Sequence, residues 1–155
     1  MTSESHEILN EVVASNFIAT LGTIVDDNPH LCTVYYVTDD NRTLYFKSRT
    51  ASEHINALDN SEFVAMSIYL PDSDYASRKA GVQAQGKVER VKNPVEMANV
   101  LKMYASAFIG SEKKFESIPD MISDAVKSTL FKFVIDKVKL VDSDKGVHFQ
   151  EYEQV

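Results

Sequence analysis

The densest run of chemistry-bearing side chains is Lys47-Ser48-Arg49-Thr50-Ala51-Ser52-Glu53-His54. It holds two permanent cations, one imidazole that titrates near neutrality, and hydroxyls at Ser48, Thr50 and Ser52. Thr50-Ala51-Ser52-Glu53 is also a capping-box pattern, with a hydroxyl at the N-cap and a carboxylate three residues on. The free N–H groups of a helix N-terminus therefore join the same cluster. Cations, hydroxyls and unpaired N–H groups together are what a phosphate or another anion needs. On chemistry alone, a capped helix with solvated charges is the simpler account, because capping boxes are common.

Other motifs carry less. Gly81-Val82-Gln83-Ala84-Gln85-Gly86-Lys87 matches the first seven positions of a phosphate-binding loop, but Val88 stands where the magnesium-ligating Ser or Thr belongs. The segment alternates like a strand and no helix follows, so the loop's context is missing. His6, His30, His54 and His148 have no mutual ligand spacing, and no zinc site is expected. Cys32 is the one cysteine. It lies mid-strand, where a buried thiol is the expectation over a nucleophile.

These residues need elements to position them. Ile8, Leu9, Val12 and Val13 recur at helical spacing, which predicts an amphipathic helix over 4–15. Phe17–Val25, His30–Thr38 and Thr43–Ser48 are three strands, separated by the turn signals Asp26-Asp27-Asn28-Pro29 and Asp39-Asp40-Asn41. A two-turn helix follows to Leu58. Glu62–Leu70 and Lys79–Val91 are the next strands. Asn93-Pro94 opens a helix with Pro at its first position, and Val95, Ala98, Leu101, Tyr104 and Phe108 form its expected apolar stripe. A polar loop over 110–118 and a short helix over 117–126 come next. Thr129–Val141 is a long strand in which Phe131, Phe133 and Ile135 share one parity while Val138 and Leu140 take the other. A bulge or bend near Asp136 accounts for the flip. Val147–Tyr152 is the last strand. Seven short-spaced strands without βαβ alternation exclude a doubly wound sheet and predict an antiparallel barrel or sandwich, mainly β with a few short helices.

The chain has 155 residues, enough for one domain over 1–155 with its core within 8–152. Hydrophobic residues make up 44% and charged residues 25%, the balance of a globular protein. A net charge of −7 weighs against nucleic acid and against anionic membrane surfaces as partners. The longest nearly apolar stretch, Phe17–Val25, is too short to span a bilayer. Met1–Glu7 has no basic leader character, so the cytoplasm is the expected location.

The order of elements resembles the pyridoxamine 5′-phosphate oxidase-like, FMN-binding split-barrel family, and particularly a small, poorly characterised bacterial group within it. Gly86-Lys87-Val88-Glu89-Arg90-Val91 is similar to the family's fifth strand. Leu44-Tyr45-Phe46-Lys47-Ser48 with Ser52-Glu53-His54 resembles its phosphate corner. Cys32-Thr33-Val34-Tyr35-Tyr36-Val37 falls where its second strand runs along the flavin ring. The resemblance implies a six-stranded antiparallel split β-barrel and a homodimer with FMN between the subunits. It places Cys32, Thr33, Val34 and Tyr35 at the ring, Lys47, Ser48 and Arg49 along the ribityl chain and phosphate, Ser52, Glu53 and His54 at the phosphate, and Gln83 nearby. Contacts at Cys32, Thr33 and Val34 are expected through main chain and small side-chain atoms. The true oxidase has Arg at the position of Cys32, Lys at Val37, Arg at Glu53, Lys at His54 and Gln at Gly81. Its Arg- and Ser-rich substrate segment is Met103-Tyr104-Ala105-Ser106-Ala107-Phe108 here. The implied function is thus an FMN-dependent oxidoreductase of unknown small-molecule substrate, not vitamin B6 synthesis. A flavin-holding module without turnover is one alternative. A haem-binding split barrel, with His148 as a candidate iron ligand, is another.

Overall fold

A computed structural model of the chain describes residues 1–49, 55, 57–58, 63–70, 74–108 and 128–153. Helix α1 spans Ser3–Ala14 and is capped by Thr2, whose hydroxyl accepts the Ser5 N–H at 3.2 Å. Its buried face is Ile8, Leu9, Val12 and Val13, as their spacing predicts. Strands β1 (Ile18–Val25) and β2 (Asn28–Thr38) form a hairpin around two residues, Asp26 and Asp27, at φ 49° and 62°. Left-handed residues at both central positions suit the twist of the flanking strands. The tight turn leaves Asn28 and Pro29 free to pair, so β2 begins two residues before the expected His30.

Strand β3 is Leu44–Arg49, β4 Val64–Tyr69 and β5 Ala80–Arg90. Ile55, Ala57 and Leu58 are helical and buried, in line with the helix expected after β3. Helix α2 is Pro94–Phe108, β6 is Ser128–Asp142 and β7 is Val147–Glu153. The loop expected over 110–118 and the helix over 117–126 lie outside the described residues. Asn93 caps α2, its side-chain oxygen accepting the Val95 N–H at 2.8 Å. The expected stripe of α2 needs correction. The buried residues are Val100 and Tyr104, whereas Val95 is 69% exposed. The helix lies across the outer face of β2, β3 and β6, where Val100 and Tyr104 join Val37, Tyr45, Val91 and Leu130 in a second, smaller core.

All seven strands are antiparallel in the order β3-β2-β1-β4-β5-β6-β7, and β3 also pairs with β6. That extra pairing closes β1 through β6 into a six-stranded barrel, with β7 as an added strand. Strand β6 binds β5 along one edge. Its other edge is shared, with β3 on residues 128–133 and β7 on 137–142. Opposite β5 the register slips: Gln85 faces Lys137 and Gly86 faces Ile135, leaving Asp136 as the extra residue. Before it Phe131, Phe133 and Ile135 are buried, and after it Val138 and Leu140 are. Gly86 makes this possible. A Cβ there would overlap the Val134 carbonyl oxygen and lie 2.9 Å from the Phe133 ring.

The main core fills the barrel and continues under α1. Phe46 stacks on Phe131 with centroids 5.4 Å apart, and the Tyr36 hydroxyl donates to the Val13 carbonyl at 2.7 Å. A second fastening joins α1 to the end of the sheet. Arg78 donates to both oxygens of the fully buried Asp142, at 3.1 and 2.5 Å, and to both oxygens of Glu11 on α1. Asp142 also accepts the Asp144 N–H at 3.1 Å. The Arg78 hydrogen bonds hold both carboxyl groups below the usual carboxylate range.

Two outcomes follow for stability. Gly86→Ala should lower stability by about 1–3 kcal/mol through overpacking, measured as a lower urea midpoint. Arg78→Met leaves Asp142 buried without its partner, a loss of about 3–5 kcal/mol at neutral pH. The depressed Asp142 value means that the parent's stabilisation is complete above the unfolded carboxylate pKa and fades as pH falls through the folded one. The stability gap between parent and variant should therefore narrow below about pH 4, and a gap independent of pH would contradict the role given to Asp142.

Candidate functional site

Barrel closure decides which face of β2 can meet a ligand. Val34 and Tyr36 are buried, half-buried Cys32 packs against the same core, and Leu31, Thr33 and Tyr35 point out. Burial pushes the Cys32 thiol pKa up, away from the thiolate a nucleophile needs. The sequence left either parity of β2 open. The structure puts Val34 inside, so a large residue there would disturb the core rather than fill an external groove.

The outward side chains form an ordered row. Thr33 pairs with Thr20, Thr20 with Ser67, and Ser67 with Gln83. At the usual strand spacing, this strip of neutral donors and acceptors runs about 14 Å across four strands. Thr33 and Gln83, distant in sequence, become its two ends. Beside it lie Gly22 and Ala65, opposite each other, with the exposed Leu31 side chain next to Gly22. Gly81, where the true oxidase carries Gln, is covered by an aromatic ring: a Cβ would sit 2.6 Å from Tyr69.

An aromatic corner stands at the β2 end of the row. Phe17 and Tyr35 lie parallel, within 2°, at 6.1 Å, and Phe108 is edge-on to both at 6.3 Å. Phe108 stacks on Tyr104 at 5.5 Å, and the Lys47 ammonium lies 5.2 Å from the Tyr104 ring centroid. The Tyr104 hydroxyl is 3.0 Å from the carbonyl oxygens of both Tyr35 and Tyr45, pinning α2 to β2 and β3. Burial raises its pKa, so it remains a donor. At the other end of α2 the Tyr45 hydroxyl lies 3.3 Å from carboxylate oxygens of Asp39 and Glu96. Burial first, and these carboxylates next, push its pKa up to about 12.

Of the expected site residues, Thr33, Tyr35, Lys47 and Gln83 are brought to the outer surface. The side chains of Cys32, Val34 and Ser48 are turned into the wall of the barrel. Arg49 continues β3 opposite Ser128, while its side chain, Ser52, Glu53 and His54 lie outside the described residues. Sequence reasoning missed Thr20, Ser67 and Phe17 as neighbours of the site. Their signal was the outward parity of β1 and β4, which becomes useful only once the register is known. Among the described residues no group of His, Cys, Asp and Glu could hold a metal ion.

The family model described as pyridoxamine 5′-phosphate oxidase matches residues 4–139. No curated protein matches the chain. Among solved structures, the conserved hypothetical protein Rv2991 of Mycobacterium tuberculosis is similar at 22% identity and TM-score 0.74, over 94% of this chain and 88% of that one. A haem-binding protein of Mycobacterium smegmatis gives 18% and 0.73, over 100% and 59%. An FAD-binding protein of the same organism gives 12% and 0.63, over 92% and 95%. At these identities the likeness is one of fold.

Tyr104→Phe tests the anchoring of α2. It removes the donor shared by two carbonyl groups, and should lower stability by about 1–3 kcal/mol. Fluorescence or hydrogen exchange should show loosening centred on α2 and the ends of β2 and β3, with the barrel protected as before.

Proposed function

The chain belongs to the pyridoxamine 5′-phosphate oxidase family, and from that premise we propose that it binds FMN and is a flavin-dependent oxidoreductase acting on a small molecule other than the vitamin B6 precursor. The observation that carries this reading is the outer-face site. A strip of neutral hydrogen-bonding groups, Thr33, Thr20, Ser67 and Gln83, ends at an aromatic corner and at Lys47. A flavin is flat and apolar across its face, polar at one edge, and anionic at its tail. The main chain of 32–34, with Thr33, suits the polar edge. Tyr35 suits the apolar face, and Lys47 draws the tail toward Arg49, Ser52, Glu53 and His54.

When bound, the flavin supplies the redox chemistry of such an enzyme. The chain supplies orientation and electrostatics. Lys47, held against Tyr104, contributes a fixed positive charge on the outer face. The buried Tyr104 hydroxyl keeps its proton and fixes the helix that frames the site. No protein acid or base is assigned to the chemical step.

The proposal includes a homodimer with the cofactor between subunits. Phe17, Ile18, Leu31, Tyr35, Phe63 and Tyr69 are each between 41% and 71% exposed on strands or at their ends. An apolar face of this kind is characteristic of an interface. The cytoplasm is the proposed location, in keeping with the single thiol at Cys32. No described helix is long and apolar enough to cross a membrane.

The protein as purified, or after incubation with FMN, should show flavin absorbance bands, and NAD(P)H should bleach them. A Soret band instead would favour the haem reading, and neither chromophore would overturn both. Each charged hydrogen bond to a phosphate contributes about 1.5–3 kcal/mol, so Arg49→Ala and His54→Ala should each weaken FMN binding by roughly tenfold or more. Sedimentation should give twice the chain mass at micromolar concentration, and a monomer would remove the intersubunit site.

A further inference from the structure

The turn between β2 and β3 contains a polar notch that the cofactor reading does not use. It lies at the end of β3 opposite the one that leads on to residues 50–54. The notch offers ≈ 40 Å³ of space and is lined by Asn41, Arg42, Thr43, Val134 and Ile135. The volume suits the head of a small oxyanion, since a water's share of the liquid is about 30 Å³.

Two features of the turn require a reason. Arg42 has φ 63°, a left-handed conformation that an arginine adopts only at a cost. The Arg42 Nη1 atom is shielded from solvent and has no hydrogen-bond partner. A buried donor without an acceptor is rare in folded proteins. The N–H groups of Asn41 and Thr43 are both bound by Asp39 Oδ1, at 3.0 and 2.9 Å, which leaves the exposed Asn41 and half-buried Thr43 side chains open to a ligand. Asn41, Arg42 and Thr43 lie in the turn between β2 and β3, outside strand alternation, so three consecutive residues line one notch.

The turn cannot satisfy Arg42 itself. One Asp39 oxygen holds Asn41 and Thr43, the other faces the Tyr45 hydroxyl at 3.3 Å, and the Asp39 carbonyl accepts the Arg42 N–H at 3.1 Å. Neither Asp40, two residues before it, nor Asp136, in the bulge of β6, forms an ion pair with Arg42.

We propose that this notch binds a small organic carboxylate. The guanidinium pairs with the carboxylate, the Asn41 amide and Thr43 hydroxyl complete its hydrogen bonds, and the apolar body rests on Val134. Val134 is 40% exposed and forms the apolar side of the notch, whereas Ile135 is 7% exposed and belongs to the barrel core. A carboxylate fits better than a phosphate dianion because the notch supplies one cation within an acidic turn. The proposal is independent of the cofactor and needs none to be present.

The test is a titration of the full-length, ¹⁵N-labelled protein with sodium propionate at constant ionic strength, with sodium chloride as the control and inorganic phosphate as a second probe. Propionate should shift the Arg42 Nε–H and the Asn41 and Thr43 amides saturably. Phosphate should act at least fivefold more weakly. Arg42→Gln should abolish the response, and Arg42→Lys should retain a weakened one. Arg42→Gly, which removes the backbone strain, should raise the melting temperature while losing the propionate response. The proposal fails if parent shifts do not saturate, if Arg42→Gln responds like the parent, or if phosphate binds more tightly than propionate. It fails equally if Arg42→Gly melts lower than the parent, because Arg42 would then serve stability.

Discussion

A strand paired with three others cannot keep one face on a barrel core along fifteen residues while its sheet twists and its neighbours change. Strand β6 carries β5 on one edge and both β3 and β7 on the other, and it meets that geometry by inserting one residue at Asp136. The extra residue swaps faces, so that Phe131, Phe133 and Ile135 fill one part of the core and Val138 and Leu140 fill the next. The backbone of β5 must then approach Val134 more closely than any side chain permits, which is the task of Gly86. The irregularity sits between the stretch of β6 that closes the barrel against β3 and the stretch that carries β7.

Because the inside is closely filled, a ligand site has to be built on the outside. The outward row from Thr33 to Gln83 comes from the register of four strands, and the aromatic corner comes from α2 crossing the ends of β2 and β3. Tyr104 connects the two parts. Its hydroxyl binds carbonyl groups on adjacent strands, and its ring carries Phe108 on one contact and Lys47 on another. A helix that would otherwise be a crossover thus becomes one wall of the site.

Much of this architecture is legible in the residues, in places where physics leaves one solution. The parity change between Ile135 and Val138 has no other cheap explanation than a bulge, and Asp26-Asp27-Asn28-Pro29 after a β-branched run is a turn under any register. The face of α2 was not legible, because Val95 and Leu101 are as apolar as Val100 and the helix offers apolar groups around much of its circumference. The parity of β2 was hidden for a related reason: Leu31, Thr33 and Tyr35 would bury about as well as Cys32, Val34 and Tyr36. Only closure against α1, where Tyr36 reaches Val13, selects between them. Arg42 gave no signal at all, since an arginine in an Asp-Asp-Asn-Arg turn is unremarkable until its backbone angle and its unpaired nitrogen are known.

The β3–β6 seam joins residues such as Leu44 and Phe133, roughly ninety positions apart in the chain. During synthesis the first hairpin and β3 emerge long before their partner. At about 5–20 residues per second, the inward side chains of that half-barrel, Leu21, Tyr36 and Phe46 among them, wait several seconds with no β6 to cover them. The turn at Asp26-Asp27 can set the β1–β2 register early, but nothing on the nascent segment can finish the cylinder. This places the chain among slow, topology-limited folders, whose most vulnerable moment comes on the ribosome rather than in the finished molecule.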